Sequence, residues 1–250
     1  MLYKYEQPNG DILCYNDDKH YYFFEKDPTK RVLAVTQFVG KFFPKFDFEG
    51  VSEKYAAKND LDVEEVRKMW RNKGKLATTF GDACHAYSDH LCRRLKPPKP
   101  NDDREKLFFN VIKRLLKKMF SKYSLVGTEL VIGSYNLGIG GTLDLVLRSK
   151  TKDEIVFVDW KTGDMTYSNR FQTALPPIDD LDDSKFNKYC LQLNTYNYIA
   201  KKEKYFNITK DTISTMCIVH LSDIYVDNFN FILVPSMQDY IEKMLGSIGT

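Results

Sequence analysis

Between residues 102 and 123, Leu107, Val111, Leu115 and Met119 recur at every fourth position, as one face of a helix requires. Asn101 stands where a helix N-cap belongs. Pro97 and Pro98 would close a preceding helix over 77–95. An earlier helix over 63–71 has Asp62 as its N-cap, with Glu64 and Glu65 suited to the first turn. Upstream, the aromatic run 21–24 is strand-prone and follows the turn-like Asn16-Asp17-Asp18, which predicts a hairpin. A dense aromatic segment, 36–46, ends near Pro44.

After Ser124 the period shortens. Segments 128–135, 141–147 and 154–161 read as strands, separated by turn-like stretches at 136–138 and 149–153. Connections this short imply antiparallel neighbours. An acidic, proline-containing loop at 176–183 leads into a helix over 186–201. Strands at 212–221 and 228–234 follow, and Ser236 caps a last helix over 237–245. No internal repeat or low-complexity linker interrupts the chain. The pattern predicts one α/β domain over residues 1–250, with a hairpin and helical portion in 1–123 and a sheet with helices in 124–250.

Composition narrows this only a little. The 250 residues are 43% hydrophobic, enough for one large core. A formal net charge of +3 neither announces nor excludes a nucleic-acid partner, because local distribution matters more than the sum. Basic residues gather at Arg93, Arg94, Lys96 and Lys99, and again at Lys113, Arg114, Lys117 and Lys118. The five cysteines (Cys14, Cys84, Cys92, Cys190 and Cys217) form no CxxC pair, so neither a zinc knuckle nor an iron–sulfur cluster is expected. Their odd number and scatter argue against a disulfide framework and for a reducing, intracellular compartment. Residues 1–10 lack the apolar run of a secretory signal, and no stretch approaches the roughly 20 apolar residues of a membrane span.

The chemistry sits in the three central strands. The run Ile155-Val156-Phe157-Val158 reads as a buried strand, and it ends in Asp159-Trp160-Lys161. Residues two apart on a strand share a face, so Asp159 and Lys161 project together. Alone, such a pair reads as a salt-bridged strand terminus. It is accompanied by Asp144, a single acid inside the neighbouring apolar strand, preceded by Gly140 and Gly141. With a turn near 150–153, Asp144 and Asp159 can approach across the ladder. Converging carboxylates make a hard, oxygen-rich site suited to magnesium or manganese. The glycines leave room for a bulge or for a substrate backbone. Lys161 could hold a phosphate oxygen or orient an attacking water.

Gly141-Thr142-Leu143-Asp144, followed after about fifteen residues by Asp159-Trp160-Lys161-Thr162-Gly163, resembles the core of RecB-type nucleases in the PD-(D/E)xK superfamily. Gly81 to His85 looks like that family's Gly-x-x-x-His helix, and Gln192 to Tyr196 looks like its Gln-x-x-x-Tyr helix. Glu129 matches an acid often found on the preceding strand. The layout over residues 36–234 is most similar to the mitochondrial genome maintenance exonucleases and viral relatives. It departs from the family at Asp89, where a Glu often follows the His, and in lacking cluster-binding cysteines. The resemblance implies a restriction-endonuclease-like core, a mixed central sheet flanked by helices, with a helical N-terminal portion. It implies Asp144, Asp159 and Lys161 as catalytic residues, with a divalent ion held by His85, Asp144, Asp159 and the Trp160 carbonyl. Gln192, Tyr196, Glu129 and Thr162 would orient these groups or the substrate. The implied substrate is DNA, entered from single-stranded ends, with Trp70, Phe80, Tyr87, Phe108 and Phe109 stacking bases and the second basic cluster tracking phosphates. Two other readings are an RNA endonuclease of cap-snatching type, which lacks the Gln-x-x-x-Tyr helix, and a non-catalytic DNA-binding module. His20, His90 and His220 have no motif support and read as structural.

Overall fold

The computed structural model describes residues 1–16, 18–19, 21–169, 171–225 and 227–248; His20 lies outside them. The chain opens with four strands, β1 (Leu2–Glu6), β2 (Ile12–Asn16), β3 (Tyr21–Phe24) and β4 (Asp27–Ala34), each antiparallel to the next. The helices α1 (Val35–Gly40), α2 (Phe48–Asn59), α3 (Val63–Cys92) and α4 (Asp103–Lys122) follow. Then come β5 (Tyr123–Ser134), β6 (Ile139–Ser149), β7 (Glu154–Lys161), α5 (Lys185–Lys202), β8 (Ile213–Leu221), β9 (Phe229–Leu233) and α6 (Gln238–Ile248).

All nine strands belong to one mixed sheet. The meander of β5, β6 and β7 is antiparallel, as the short connections require. β8 lies parallel to β7, and β9 forms the antiparallel edge beyond it. The N-terminal strands join through a brief parallel contact, Leu33 and Ala34 of β4 opposite Ile139 and Gly140 of β6. Strand β7 is thus flanked on both sides, which is why its apolar run is continuous rather than alternating. One face of the sheet packs on α1, α5 and α6 through Phe38, Phe157, Leu191, Ile218 and Ile241. The other packs on α4 and the C-terminal half of α3 through Phe80, Phe108, Ile112, Val158 and Trp160. A smaller cluster of Leu13, Phe24 and Val32 lies under the N-terminal hairpins.

Three helical details depart from the sequence expectation. The helices expected over 63–71 and 77–95 are one 30-residue helix, α3. The polar run between them contains no proline, and Gly74 costs only about 1 kcal/mol relative to alanine. Residues 71–79 are all exposed, so this run is a solvated length of helix and not a linker. Asp62 caps it as expected, accepting the Glu65 N–H at 2.9 Å. Helix α2 carries no clear apolar period, since only Ser52 and Ala56 are buried. It is held to α3 by Arg67, which bonds Ser52 and pairs with Glu49, Glu53 and Glu64.

On α4 the cap is Asp102, not Asn101. Its Oδ1 accepts the Glu105 N–H at 2.7 Å, and the Glu105 carboxylate returns to accept the Asn101 N–H at 2.6 Å. This reciprocal capping satisfies two otherwise orphaned donors. The buried face is Phe108, Val111, Ile112, Leu115, Leu116 and Met119, whereas Leu107 is 46% exposed. A strict spacing of four drifts around a helix with about 3.6 residues per turn, so the stripe needs steps of three as well. No helix among the described residues is long and apolar enough to cross a membrane.

Replacing Asp102 with alanine removes the cap, and the expected cost is about 1 kcal/mol. Thermal unfolding followed by circular dichroism should show Tm lower by roughly 2–4 °C at this chain length. Asp102→Asn should restore most of the loss. An unchanged Tm in Asp102→Ala would remove the capping role.

Candidate active site

The register of β6 and β7 pairs Leu145 with Val158, which sets Asp144 opposite Asp159 at the next position. The backbone ladder stops there. The Trp160 N–H donates instead to Oδ2 of Asp144 at 2.8 Å, so a side-chain carboxylate replaces the expected carbonyl acceptor. The alternation of β6 also breaks at this point. Leu145 and Leu147 pack in the core beneath α4, whereas Leu143 packs in the opposite core. On the other side of Asp144, Thr128 donates its hydroxyl to the Asp144 carbonyl at 2.8 Å. Glu129 lies across from Asp144, between the pairs Thr128–Leu145 and Leu130–Leu143, with φ of 48°. A non-glycine residue in that left-handed region stores strain of order 1–3 kcal/mol.

Helix α3 supplies His85. Its Nδ1 is 3.6 Å from Asp144 Oδ1 and 3.8 Å from Glu129 Oε1. One ligand atom from each of the three residues falls within a 4.8 Å cluster. Gly81, one turn earlier, lets the helix approach: a Cβ there would stand 3.2 Å from the Thr162 hydroxyl. Helix α5 closes the other side. Lys161 Nζ sits 3.0 Å from Asp159 Oδ1 and 2.8 Å from Oδ2, and 4.6 Å from the centre of the Tyr189 ring. Gln192 Nε2 donates to Asp159 Oδ1 at 3.4 Å. The Tyr196 hydroxyl lies against Gly141, where a Cβ would approach it to 2.6 Å. Only glycine fits there.

Burial governs the electrostatics. It raises both Asp144 and Asp159 above the ordinary aspartate range. For Asp159 the result is about 6, since the Lys161 charge offsets part of the burial and Asp144 adds to it. Burial works against the charge on Lys161, but the two aspartates outweigh it and keep the ammonium firmly protonated. Burial likewise disfavours the His85 imidazolium, yet Asp144 and Glu129 raise it to about 9. Asp159 is 4% exposed, and its Oδ2 accepts no hydrogen bond despite the nearby ammonium. An imidazole nitrogen, carboxylate oxygens with spare acceptor capacity and no thiolate suit a hard or borderline divalent cation.

Asp144, Asp159, Lys161, His85, Glu129, Gln192, Tyr196 and Thr162 thus converge at one end of the meander. Within that group the arrangement differs from expectation. The compact donor cluster contains Glu129, while Oδ1 of Asp159 accepts from both Lys161 and Gln192. Trp160 contributes its N–H to Asp144 and its indole to the core. Asp89 is not a donor to the site. It pairs with Arg93 at 2.7 Å, and Arg93 reaches the Thr128 carbonyl behind Glu129. His90 contacts the Ala86 carbonyl. His220 contacts the Gly163 carbonyl at 2.7 Å and the Tyr225 hydroxyl at 3.0 Å, which pins the turn after Lys161.

The expected base-stacking aromatics are corrected. Phe80, Tyr87, Phe108 and Phe109 are buried, with Tyr87 stacked on Phe109 at 4.0 Å. Trp70 packs edge-on against Phe48 and Tyr55. The area of Phe80, Tyr87, Phe108 and Phe109 fills the layer between α3, α4 and the sheet. Lys113, Arg114, Lys117 and Lys118 lie on the outer face of α4, where Arg114 meets Asp227. Beside Lys161 the protein instead has a cavity of about 730 Å³ between α3 and residues 162–164, lined in part by Lys68, Met69, Lys73 and Arg104. Two site residues escaped the sequence reading. Tyr189 precedes Gln192 by three positions on the same helix face, so helical spacing could have found it. Tyr22 reaches the Thr142 hydroxyl at 3.2 Å across 120 residues, and no local signal announces that.

No protein-family model and no curated protein matches the chain. Among solved structures it is similar to a "putative exonuclease" from Eubacterium rectale, with 9% identity, a TM-score of 0.39, and coverage of 90% of this chain and 81% of that one. The functional reading rests on the geometry of the site.

Two outcomes test that geometry. Gly141→Ala should destabilise the protein by roughly 1–3 kcal/mol through overpacking against Tyr196. Combining it with Tyr196→Phe, which deletes the opposing hydroxyl, should recover part of the loss; a strictly additive double variant would refute the contact. The second outcome concerns charge. Asp159 binds its proton more tightly folded than unfolded, so its ionisation costs stability once pH exceeds the ordinary value of 3.8, and the cost is complete above about 6. In chelator at neutral pH, Asp159→Asn should melt a few degrees above the parent protein. The gap should close as pH falls toward 3.8, and a variant that melts lower at every pH would contradict the assignment.

Proposed function

We propose that this protein is a divalent-metal-dependent nuclease with a PD-(D/E)xK core, acting on DNA and working from single-stranded ends. The observation that carries the reading is the convergence of Asp144, Asp159 and Lys161 where β6 and β7 part, with Gln192 bracing Asp159 from α5. Structural salt bridges at strand ends are common. An arrangement that buries two aspartates side by side, raises both, and faces them with a histidine and a strained glutamate is hard to explain by stability.

His85, Glu129 and Asp144 would hold magnesium or manganese, with Asp159 as the adjoining acid. When bound, such an ion polarises the scissile phosphate and makes a water molecule acidic enough to attack it. The residues themselves do the rest. Lys161 remains charged although buried, so it can meet negative charge developing on the phosphate oxygens in a site poor in water. Tyr189 and Gln192 keep the Lys161–Asp159 pair in place. The Asp144 carboxylate takes the Trp160 N–H where the backbone pairing of β6 and β7 ends, which holds it beside Asp159. The cavity between α3 and residues 162–164 gives a strand a route beside Lys161, and its lysines would meet phosphates there.

Labelled linear and circular single-stranded DNA of one sequence, with magnesium, manganese or chelator, test the reading directly. Linear DNA should shorten from an end, the circle should survive, and chelator should stop the reaction. Full activity in excess chelator would overturn the metal assignment, and rapid nicking of the circle would overturn the preference for ends. Lys161→Ala should lower turnover on the order of 10²–10³-fold while DNA binding persists. Cleavage by Lys161→Ala at the parent rate would remove the lysine from the mechanism.

A further inference from the structure

A second cavity, of about 520 Å³, opens between the N-terminal hairpins and α1, lined by Lys19, Tyr21, Tyr22, Arg31, Gln37 and Lys41 together with the backbone segment from Val32 to Ala34. Its charge is one-sided. The cavity beside Lys161 has Glu65 and Asp164 among its lining residues, but this one has three cations and no acid. Among the described residues neither Lys19 nor Lys41 makes an ion pair. Arg31 lies over the Tyr21 ring at 4.6 Å, which holds the guanidinium in position without neutralising it. Three unneutralised cations around one concavity repel each other, and the arrangement is justified when an anion shares them.

The cavity is joined to the catalytic end of the sheet. Tyr22 lines it, and the Tyr22 hydroxyl meets the Thr142 hydroxyl at 3.2 Å. Thr142 stands two residues before Asp144 on β6, about 7 Å along a strand. Leu33 and Ala34, also in the wall, pair directly with Ile139 and Gly140 of the same strand. Arg31 stands two residues before Leu33 and so further back along the sheet from Asp144, about 20 Å of strand, which a nucleic-acid strand spans with several phosphates.

We infer that this hairpin cavity is a second subsite for a single nucleic-acid strand, in which Lys19, Arg31 and Lys41 hold backbone phosphates several nucleotides from the scissile one. The inference rests on the nuclease reading for the identity of the ligand, but on the cavity's own residues for its place. Gln37 offers the amide group that could meet a base or sugar at the same position. A single strand fits better than a duplex, because the cavity is a local concavity and not an extended groove.

The test measures binding of a fluorescein-labelled single-stranded oligodeoxythymidine by anisotropy, in chelator so that nothing is cut, over a series of salt concentrations. Arg31→Ala combined with Lys41→Ala should weaken binding on the order of tenfold at low salt. It should also flatten the slope of log K against log salt by about 0.7 for each contact removed. A charge-matched control, Lys204→Ala with Lys210→Ala in a distant basic cavity, should leave both quantities unchanged. Tm and the increase in Tm caused by manganese report fold and ion site, and both should be the same in all three proteins. Parent protein that binds and cuts DNA while the hairpin variant binds equally well would overturn the subsite alone. Equal weakening by the control would also overturn it, in favour of diffuse attraction. Parent protein with neither oligonucleotide binding nor a manganese effect would overturn the nuclease reading and the subsite together.

Discussion

The hydrogen bond from the Trp160 N–H to Asp144 Oδ2 is the contact on which the rest of the site depends. A sheet ladder would ordinarily pair that N–H with a carbonyl, and β6 and β7 would then run on together with both aspartates pressed into one pair. By accepting the N–H itself, the Asp144 carboxylate ends the ladder and stays ionisable at a buried position. The same event leaves Asp159 and Lys161 on a strand terminus that β8 still supports from its other side. Rigidity and opening are thus produced at one point, because a parallel neighbour holds β7 while its antiparallel neighbour departs.

Maintaining that point has costs spread over several elements. A buried Asp159, a half-buried Asp144, a left-handed Glu129 and a half-buried ammonium all oppose folding when taken singly. They are tolerated because they are mutually paired and because the surrounding layers are apolar and well filled. The bulk of Phe80, Tyr87, Phe108 and Phe109 belongs to this support. Their burial fixes α3 against the sheet, and α3 in turn fixes His85. Gly141 acts where a side chain would strike Tyr196 of α5, and Gly81 where one would crowd the Thr162 hydroxyl.

Much of this is legible in the sequence. β5, β6 and β7 follow from strand-length apolar runs joined by short turns, and their register follows from the turn at 149–153. Asp144, Asp159 and Lys161 stand out because charged residues interrupt otherwise apolar strands. Four things are not legible in it, each for a physical reason. The continuity of α3 was hidden because solvated helix and solvated linker have the same composition. The buried face of α4 is legible at Val111, Leu115 and Met119 but not at Leu107, because a spacing of four approximates a period of 3.6 over only a few turns. The role of Glu129 depends on a backbone conformation that side-chain identity does not encode. The aromatics of α3 and α4 were assigned to a ligand because size and ring character suit both stacking and packing, and only burial separates the two.

The N-terminal hairpins show how a peripheral element becomes part of a site. Their strand pairing with the central sheet is brief, Leu33 with Ile139 and Ala34 with Gly140. Those pairs fall on the segment of β6 that leads into Asp144, and Tyr22 adds a hydroxyl contact to Thr142 on the same segment. Gly140 and Gly141 make the approach possible from both faces: a Cβ on Gly140 would come within 3.2 Å of Val32 in β4, and one on Gly141 would strike Tyr196 in α5. The glycine pair therefore serves packing on two sides of one strand, and a basic concavity on β3, β4 and α1 is brought next to a cluster of acids on β5, β6 and β7. Opposite charges in adjacent places suit a ligand that carries phosphates along its length, with a cation needed only where the acids are.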